Sequence, residues 1–261
     1  MNKDNEQFGT PKMAQSTSSL GFAPEGHVRD AGQGTAWLGT AWDLFKRAPG
    51  IWIALVVIYI VLAMVLSFIP MIGQLALTLL GPVFMGGILL GCKALDDGQE
   101  LRIEHLFAGF QTKLGPLLTL GALYVGGLIL IGIVVFGLVA MLFGASALAS
   151  LGSNSSGMQA GAAIGSVLLL TCGALLLVLP LAMAMWFAPA LVVFHDMQPV
   201  VAMRSSFFAS LKNIMPMLIY GLILMVLAIV ATIPFGLGWL ILLPVLMASS
   251  YTAYRDIYIQ T

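Results

Sequence analysis

Charge is the property that this sequence has least of. Only 8% of its 261 residues are charged, whereas ordinary soluble domains carry about 25% charged residues. The 11 basic and 11 acidic residues balance to zero net charge, so no basic surface is present that would fit nucleic acid. A chain that is 60% hydrophobic also has too few charges to cover a soluble surface. The composition predicts a polytopic membrane protein and excludes nucleic acid as a partner.

Cysteine is almost as scarce, and catalytic motifs are missing. The two cysteines, Cys92 and Cys172, have neither the CxxC spacing of redox sites nor the Cys/His spacing of metal sites. We expect both to be buried as small apolar residues. The GxSxG, phosphate-loop and HExxH patterns are absent as well. We therefore expect no catalytic residues, no metal ligands and no cofactor, and we predict that the protein is not an enzyme.

Six hydrophobic segments follow a polar start of the chain. They cover residues 51–69, 74–92, 116–143, 164–194, 216–233 and 237–254, and each is long enough to cross a hydrocarbon core of about 30 Å. Pro180 and Pro189 predict a kink in the long fourth segment. The predicted fold class is an all-α integral membrane protein, with six transmembrane helices in residues 36–261. Residues 1–35 are predicted to be a disordered, mobile cytoplasmic tail.

Six spans place every basic residue on one side of the membrane. These residues are Lys3, Lys12, Arg29, Lys46, Arg47, Lys93, Arg102, Lys113, Arg204, Lys212 and Arg255. The acidic residues and the three histidines follow the same partition, so no ionisable side chain lies within a predicted span. The positive-inside rule therefore predicts that both termini are cytoplasmic.

A short amphipathic segment precedes each odd-numbered span and ends at a proline. The apolar faces consist of Trp37, Ala41, Leu44 and Ala48 in the first, Ile103, Leu106, Phe107, Phe110 and Leu114 in the second, and Val200, Met203, Phe207, Leu211 and Ile214 in the third. Spacings of three and four residues predict helices that are too short to span and lie in the cytoplasmic interface. The second and third segments also align at an offset of 100 residues, with Asp96/Asp196 and Pro116/Pro216 among the identities. We interpret the chain as three hairpin repeats, each preceded by an interfacial helix.

Four stretches of the sequence resemble a family of uncharacterised proteobacterial inner-membrane proteins with six spans. They are AGQGTAWLGTAWDLFKRAPGIW, LLGPVFMGGILLGCKALDDGQELRIEHLFAGF, WFAPALVVFHD and IPFGLGWLILLPVLMASSYTAYRDIY. The resemblance covers residues 30–258 and implies a multi-pass protein of the bacterial inner membrane, with no biochemical activity attached. The hairpin pattern is also distantly similar to the membrane domain attached to some glycerophosphodiester phosphodiesterases. Their catalytic domain has no counterpart in this sequence.

Two groups of polar residues on the cytoplasmic side are candidate sites. Six basic residues are candidates for contacts with anionic lipid headgroups, although setting the topology alone accounts for them as well: Lys46, Arg47, Arg102, Lys113, Arg204 and Lys212. The His195–Asp196 pair has two interpretations. It forms a proton relay or half a metal site, or Asp196 caps the helix that begins near Pro199. The equivalent position of Asp96 favours capping.

The functional prediction follows from the missing intramembrane charge. Gly81, Pro82, Pro180, Pro189 and Pro244 are able to break helices and expose carbonyls to a substrate, or simply to kink the spans. Coupled transport usually places ionisable groups at the midplane, and none are present. We therefore favour a non-enzymatic component that binds lipid or a partner protein, with membrane lipids and other membrane proteins as partners. A transporter or channel for a small uncharged solute is the alternative. The sequence carries no signal for an oligomeric state.

The loop over residues 144–163 is the one sizeable segment predicted on the far side of the membrane. It contains no charged residue, and the spans on either side exceed what a bilayer requires. We expect a helical hairpin that continues both spans outward and turns at residues 152–157. Packing against a membrane partner and simple tethering of the two helices are both compatible with this composition.

Overall fold

The computed structural model describes residues 21–150 and 156–259. Within these ranges the secondary structure is helical apart from one isolated bridge between Phe22 and Ile259. The helices are α1 (Gln33–Arg47), α2 (Pro49–Ser67), α3 (Ile72–Asp96), a 3-10 turn (Ile103–Phe107), α4 (Ala108–Thr112), α5 (Leu114–Ser150), α6 (Ser156–Trp186), α7 (Ala188–His195), α8 (Pro199–Lys212), α9 (Ile214–Thr232) and α10 (Trp239–Tyr258). The all-α prediction is confirmed for this part of the chain.

Five stretches in these helices are long and apolar enough to cross a membrane. They are Pro49–Ser67, Ile72–Asp96, Leu114–Met141, Leu170–His195 and Ile214–Thr232, and they fall on the first five predicted spans. The sixth predicted span falls on α10, which does not reach the same hydropathy. Its second half contains Thr252, Arg255 and Asp256 together with three tyrosines, so apolar character is confined to its first half.

The kink predicted in the fourth span is confirmed. The helix is broken at Phe187, between α6 and α7, and Pro189 lies in the first turn after the break. Proline is favoured there because its missing N–H belongs to a position that has no intrahelical partner. Pro180 lies inside α6 without ending it. The break matters for the site described below because it lies beside a cavity.

Close packing is concentrated at one end of the helix bundle. We call it the charged end, because it carries the ion pairs Lys113–Asp196, Arg255–Asp96 and Arg29–Asp256. In α2 the buried residues are Trp52, Leu55 and Val56, all in its first half. Towards the other end, large apolar side chains are exposed, among them Met64, Val65, Phe68, Ile133, Phe136, Ile229 and Ile233. Lipid tails would cover such a surface in a membrane.

The short helices before the spans differ in which residues they bury. Helix α1 buries Trp37, Ala41 and Leu44, three of the four residues of the predicted apolar face. The second segment is a 3-10 turn followed by α4, and only Leu106 and Gly109 are buried in it.

The third predicted apolar stripe lies mostly on the outer face of the protein, and α8 buries small residues instead. Its buried residues are Ala202, Ser206, Ala209 and Ser210, while Val200, Leu211 and Ile214 of the predicted stripe are exposed. Small residues allow α8 to approach α6 closely, so the large apolar side chains are left on the outer face.

The first described residues extend the packed domain beyond the predicted boundary. Residues 1–35 were predicted as a mobile tail, but the backbone N–H groups of Ala23 and His27 donate to the carbonyls of Tyr258 and Ile257 at 2.9 and 2.8 Å. The Arg29 guanidinium bonds Asp256. These contacts fix residues 23–29 against the end of α10, so the packed domain begins before Gln33.

The helices on both sides of the 144–163 loop continue into it as predicted. Helix α5 runs to Ser150 and α6 begins at Ser156, which confirms the helical extension of both spans. Most of the predicted turn at residues 152–157 lies outside the described residues.

Candidate functional site

A cavity opens among the helices at the level of the candidate spans. It has a volume of about 530 Å³ and is open rather than enclosed. Its lining comes from α2 (Tyr59), α3 (Gln74, Leu77, Thr78, Gly81, Pro82 and Met85), α5 (Tyr124), the α6–α7 break (Met185, Trp186 and Pro189) and α10 (Ser250). Every one of these residues except Ser250 belongs to a candidate membrane span. The lining contains no charged side chain.

Four of the residues that line this cavity carry a polar side-chain group that has no hydrogen-bond partner in the part of the chain that the structure describes. These groups are the hydroxyls of Tyr59 and Tyr124, the amide of Gln74 and the indole N–H of Trp186. Tyr59, Tyr124 and Trp186 are half-buried, whereas Gln74 is exposed near the start of α3. A polar group that is left unpaired where hydrocarbon covers it costs several kcal/mol by order of magnitude. A ligand that offers hydrogen-bonding atoms would relieve this cost, so the cavity fits a molecule that is polar but uncharged.

Neighbouring rings hold two of these side chains in place. The ring of Tyr59 meets Phe84 edge-on with centroids 5.5 Å apart. Trp186 is held in the same way against Tyr220, at 5.8 Å, and the Tyr220 hydroxyl bonds Ser249 at 2.6 Å. The cavity walls are therefore built on packed helices rather than on loops.

Pro82 adds a further acceptor at the same place. It lies inside α3 and has no N–H to donate to the carbonyl of Thr78, four residues earlier. The Thr78 hydroxyl is already used, since it donates to Gln74 O at 2.8 Å. Thr78, Gly81 and Pro82 all line the cavity, so an interrupted stretch of α3 forms one of its walls.

The backbone at the α6–α7 break is satisfied by protein. The Ser206 hydroxyl of α8 accepts from the Phe187 N–H at 3.0 Å and donates to the Met183 carbonyl at 2.7 Å. Ser210 donates to the same carbonyl at 3.3 Å. This break therefore does not offer these groups to a substrate, which weakens one premise of the transporter alternative.

His195 and Asp196 are brought into separate contacts. The His195 Nε2 lies 2.6 Å from the Tyr254 hydroxyl, and its ring stacks on Phe22 with centroids 3.4 Å apart. Asp196 follows the last residue of α7 in the left-handed region, at φ 53°, and pairs with Lys113. The predicted cap is wrong, because Gln198 is the N-cap of α8 and makes no side-chain cap bond. Pro199 does begin α8, as predicted.

The six basic candidate residues divide into two groups. Lys46, Lys113 and Lys212 pair with Asp43, Asp196 and Glu25, respectively. Arg47 instead donates to the Leu95 carbonyl at 2.9 Å, and Arg204 lies over the Phe208 ring at 5.8 Å. Arg102 has no carboxylate partner within the described ranges. Unlike the three lysines, the three arginines therefore have no carboxylate partner among the described residues.

The cysteines differ from each other in burial. Cys92 is buried as predicted, whereas Cys172 is exposed on α6, so the prediction for the second is wrong. Both are free thiols. Among the described residues, no three His, Cys, Asp or Glu side chains converge as metal ligands would.

The helices and their apolar surface define a multi-pass membrane protein, and a sequence relative places it in a bacterial inner membrane. The chain is 31% identical over 228 residues to a probable inner membrane protein of Burkholderia thailandensis, and the match covers 84% of this chain and 80% of that protein. The chain belongs to the same family of inner membrane proteins. No protein-family model matches the chain, and no solved structure matches it significantly. The similarity to the membrane domain attached to glycerophosphodiester phosphodiesterases stays a prediction.

Proposed function

We propose that the protein is a non-enzymatic component of the inner membrane that binds an uncharged lipid in the cavity between α2, α3, α5 and α7. The observation that carries this proposal is the set of unpaired polar groups on Tyr59, Gln74, Tyr124 and Trp186 around one uncharged space. Ester carbonyls and hydroxyls of a lipid are the acceptors and donors that such groups bind. A charged headgroup would lose its hydration there without gaining an opposite charge.

Diacylglycerol is therefore expected to stabilise the delipidated protein against heat more than phosphatidylglycerol does. A ligand that binds only the folded state adds about 2.7 kcal/mol of stability at a hundred times its Kd. The Tyr59→Phe and Tyr124→Phe variants keep the rings but lose the hydroxyls, so the diacylglycerol-dependent rise in Tm is expected to shrink in each. The measurement is a thermal melt in detergent with and without each lipid.

The matched control is Tyr220→Phe, because the Tyr220 hydroxyl bonds Ser249 and does not line the cavity. Its Tm without lipid is expected to fall, whereas its diacylglycerol-dependent rise should stay unchanged. Equal stabilisation of all variants by diacylglycerol would remove the cavity as the binding site. Flux of labelled sorbitol through the purified protein in liposomes, without lipid-specific stabilisation, would favour the transporter alternative.

We also propose six spans, with both ends of the helical domain in the cytoplasm. Residues 23–29 contact the end of α10, so these two parts of the chain lie on the same side. Five crossings through α9 leave the chain on the opposite side, and α10 must cross back to make these contacts. Its polar side chains have protein partners that support this: Thr252 donates to the Trp37 carbonyl at 2.9 Å, and the Tyr251 hydroxyl donates to Asp96 at 3.1 Å.

The contacts of the short helices support the three-repeat interpretation. Helix α1 packs on α10, where the Trp37 indole donates to Asp256 at 2.8 Å. The α4 segment packs on α3, since a Cβ at Gly109 would lie 2.1 Å from the Val83 carbonyl. Helix α8 packs on α6 through Ser206. In each case the short helix packs on the second helix of another hairpin, which would close the repeats into a ring.

Cysteine labelling tests this topology in a Cys172→Ser background, where the remaining Cys92 is buried. A membrane-impermeant reagent is expected to label Phe235→Cys, in the turn between α9 and α10, from outside intact spheroplasts. Gly98→Cys, in the segment after α3, is expected to react only after the membrane is opened. Both positions lie outside the helices. Labelling of Gly98→Cys from outside, or protection of Phe235→Cys, would contradict the orientation of the first five spans. Ile259→Cys lies directly after α10, so labelling of this variant from outside intact spheroplasts would contradict the sixth span.

A further inference from the structure

A second cavity lies at the charged end, in the angle between α1, α2 and the segment that follows α3. Its volume is about 440 Å³. Arg47 and Glu100 line it together with the apolar residues Ile51, Leu95 and Leu101. We propose that this cavity binds the headgroup of a zwitterionic phospholipid that carries a primary ammonium, such as phosphatidylethanolamine. The site is separate from the uncharged cavity and does not depend on it.

The two charges in this cavity are not neutralised by ion pairs in the described chain. Arg47 bonds the Leu95 carbonyl through Nη1 at 2.9 Å, which fixes the guanidinium and leaves its other N–H groups available. Glu100 has no basic partner within the described residues. The nearby Lys46 and Lys93 are paired with Asp43 and Asp97 instead. A cation and an anion therefore share one open space.

The position of the cavity fits a lipid rather than a soluble zwitterion. Ala48 and Ile51 form the corner at which α2 begins, and α2 is a candidate span from Pro49. The exposed Trp42 lies on α1, before this corner, and stacks on Phe45 with ring centroids 5.3 Å apart. Tryptophan is enriched at the headgroup level of membranes. The charges thus lie where headgroups lie, with apolar residues where acyl chains begin.

The charge pattern selects among headgroups. An arginine fork binds phosphate oxygens through two parallel hydrogen bonds, and a carboxylate accepts N–H bonds from a primary ammonium. Phosphatidylglycerol lacks the ammonium and meets the negative charge of Glu100. Phosphatidylcholine has a quaternary ammonium with no N–H to donate. The cavity therefore favours phosphatidylethanolamine over both.

Native mass spectrometry of the protein in nanodiscs that contain equal parts of the three lipids tests this assignment. The Thr78→Trp variant serves as the background, because it blocks the uncharged cavity. We expect phosphatidylethanolamine to be retained about tenfold over the other two. Glu100→Gln is expected to shift retention towards phosphatidylglycerol, since the repelling charge is gone, and Arg47→Gln is expected to lose both lipids.

Glu104→Gln is the matched control, because Glu104 is exposed and does not line the cavity. It should leave the retained lipid unchanged. The proposal would be overturned if the background variant, which keeps Arg47 and Glu100, retained the three lipids equally. It would also be overturned if Glu100→Gln retained them in the same proportions as the background. Full displacement by soluble glycerophosphoethanolamine at a concentration equal to that of the lipid would overturn the assignment to a lipid.

Discussion

Replacing Gly34 by alanine is expected to destabilise the protein by about 1–3 kcal/mol, the usual cost of forcing extra atoms into a packed site. A Cβ at this position of α1 would lie 2.3 Å from the Pro216 carbonyl oxygen and 2.9 Å from the Tyr220 backbone nitrogen. Neither backbone atom moves without shifting α9. Because α1 also bonds α10 through Trp37, the substitution would displace α1 from both α9 and α10.

The matched control lies five residues further along the same helix. A Cβ at Gly39 meets no atom within 4 Å, so Gly39→Ala is expected to stabilise the protein by about 0.5–1 kcal/mol through its better helix propensity. Thermal unfolding in detergent reports both, with a shift of about 2–4 °C for each kcal/mol in a domain of this size. Equal shifts for the two alanines would show that α1 does not pack as described.

The spans could be predicted from the sequence because each is decided by its own residues. An apolar run has to form a helix in hydrocarbon, since every backbone group must bond within the segment. Helix α10 is the informative exception. Its polar residues are tolerated because Thr252 and Asp256 bond Trp37 of α1, and no local measure of hydropathy includes a partner more than 200 residues away.

The same reason explains the error at the start of the chain and the unpredicted burial of small residues in α8. Two of the contacts of residues 23–29 are backbone bonds to the end of α10, which leave no pattern in the side chains. The others include bonds of this segment to Asp256, Asn213 and Ser205, which lie far along the chain. In α8 the apolar stripe was the visible signal, but Ser206 and Ala209 are buried in its place because close approach requires small residues. Burial by small residues is invisible to a search for large apolar ones.

The uncharged cavity was only partly visible in the sequence. Pro82 and Pro189 are recognisable as helix breakers, and both line it. Tyr59, Tyr124 and Trp186 lie on three different helices, and nothing in their spacing brings them together. Their convergence depends on how the helices are rotated, which is set by contacts such as the ring pair of Tyr59 and Phe84.

Filling this cavity is expected to weaken lipid binding strongly with little change in fold. Thr78 lines the cavity and is half-buried, so the indole of a Thr78→Trp variant would occupy the space that the ligand needs. We expect binding of radiolabelled diacylglycerol to the purified protein to weaken at least about tenfold, equivalent to about 1.4 kcal/mol. The helical content and the Tm without lipid should change little, because the added ring enters open space.

Thr119→Trp is the control for this substitution. Thr119 is exposed on α5, and its hydroxyl donates to the Gly115 carbonyl at 3.0 Å, the same bond to the residue four positions earlier that Thr78 makes with Gln74. The two variants therefore remove equivalent hydrogen bonds and add the same ring, but only one ring enters the cavity. Diacylglycerol binding is expected to be unchanged in Thr119→Trp.

Native mass spectrometry of the intact protein released from its own membrane tests the central claim most directly. We expect the wild-type chain and Thr119→Trp to retain an uncharged lipid, at about one per chain, and Thr78→Trp to be released without it. A wild-type chain that retains no uncharged lipid, or a Thr78→Trp chain that retains as much as the wild type, would contradict the assignment of this cavity as a lipid site.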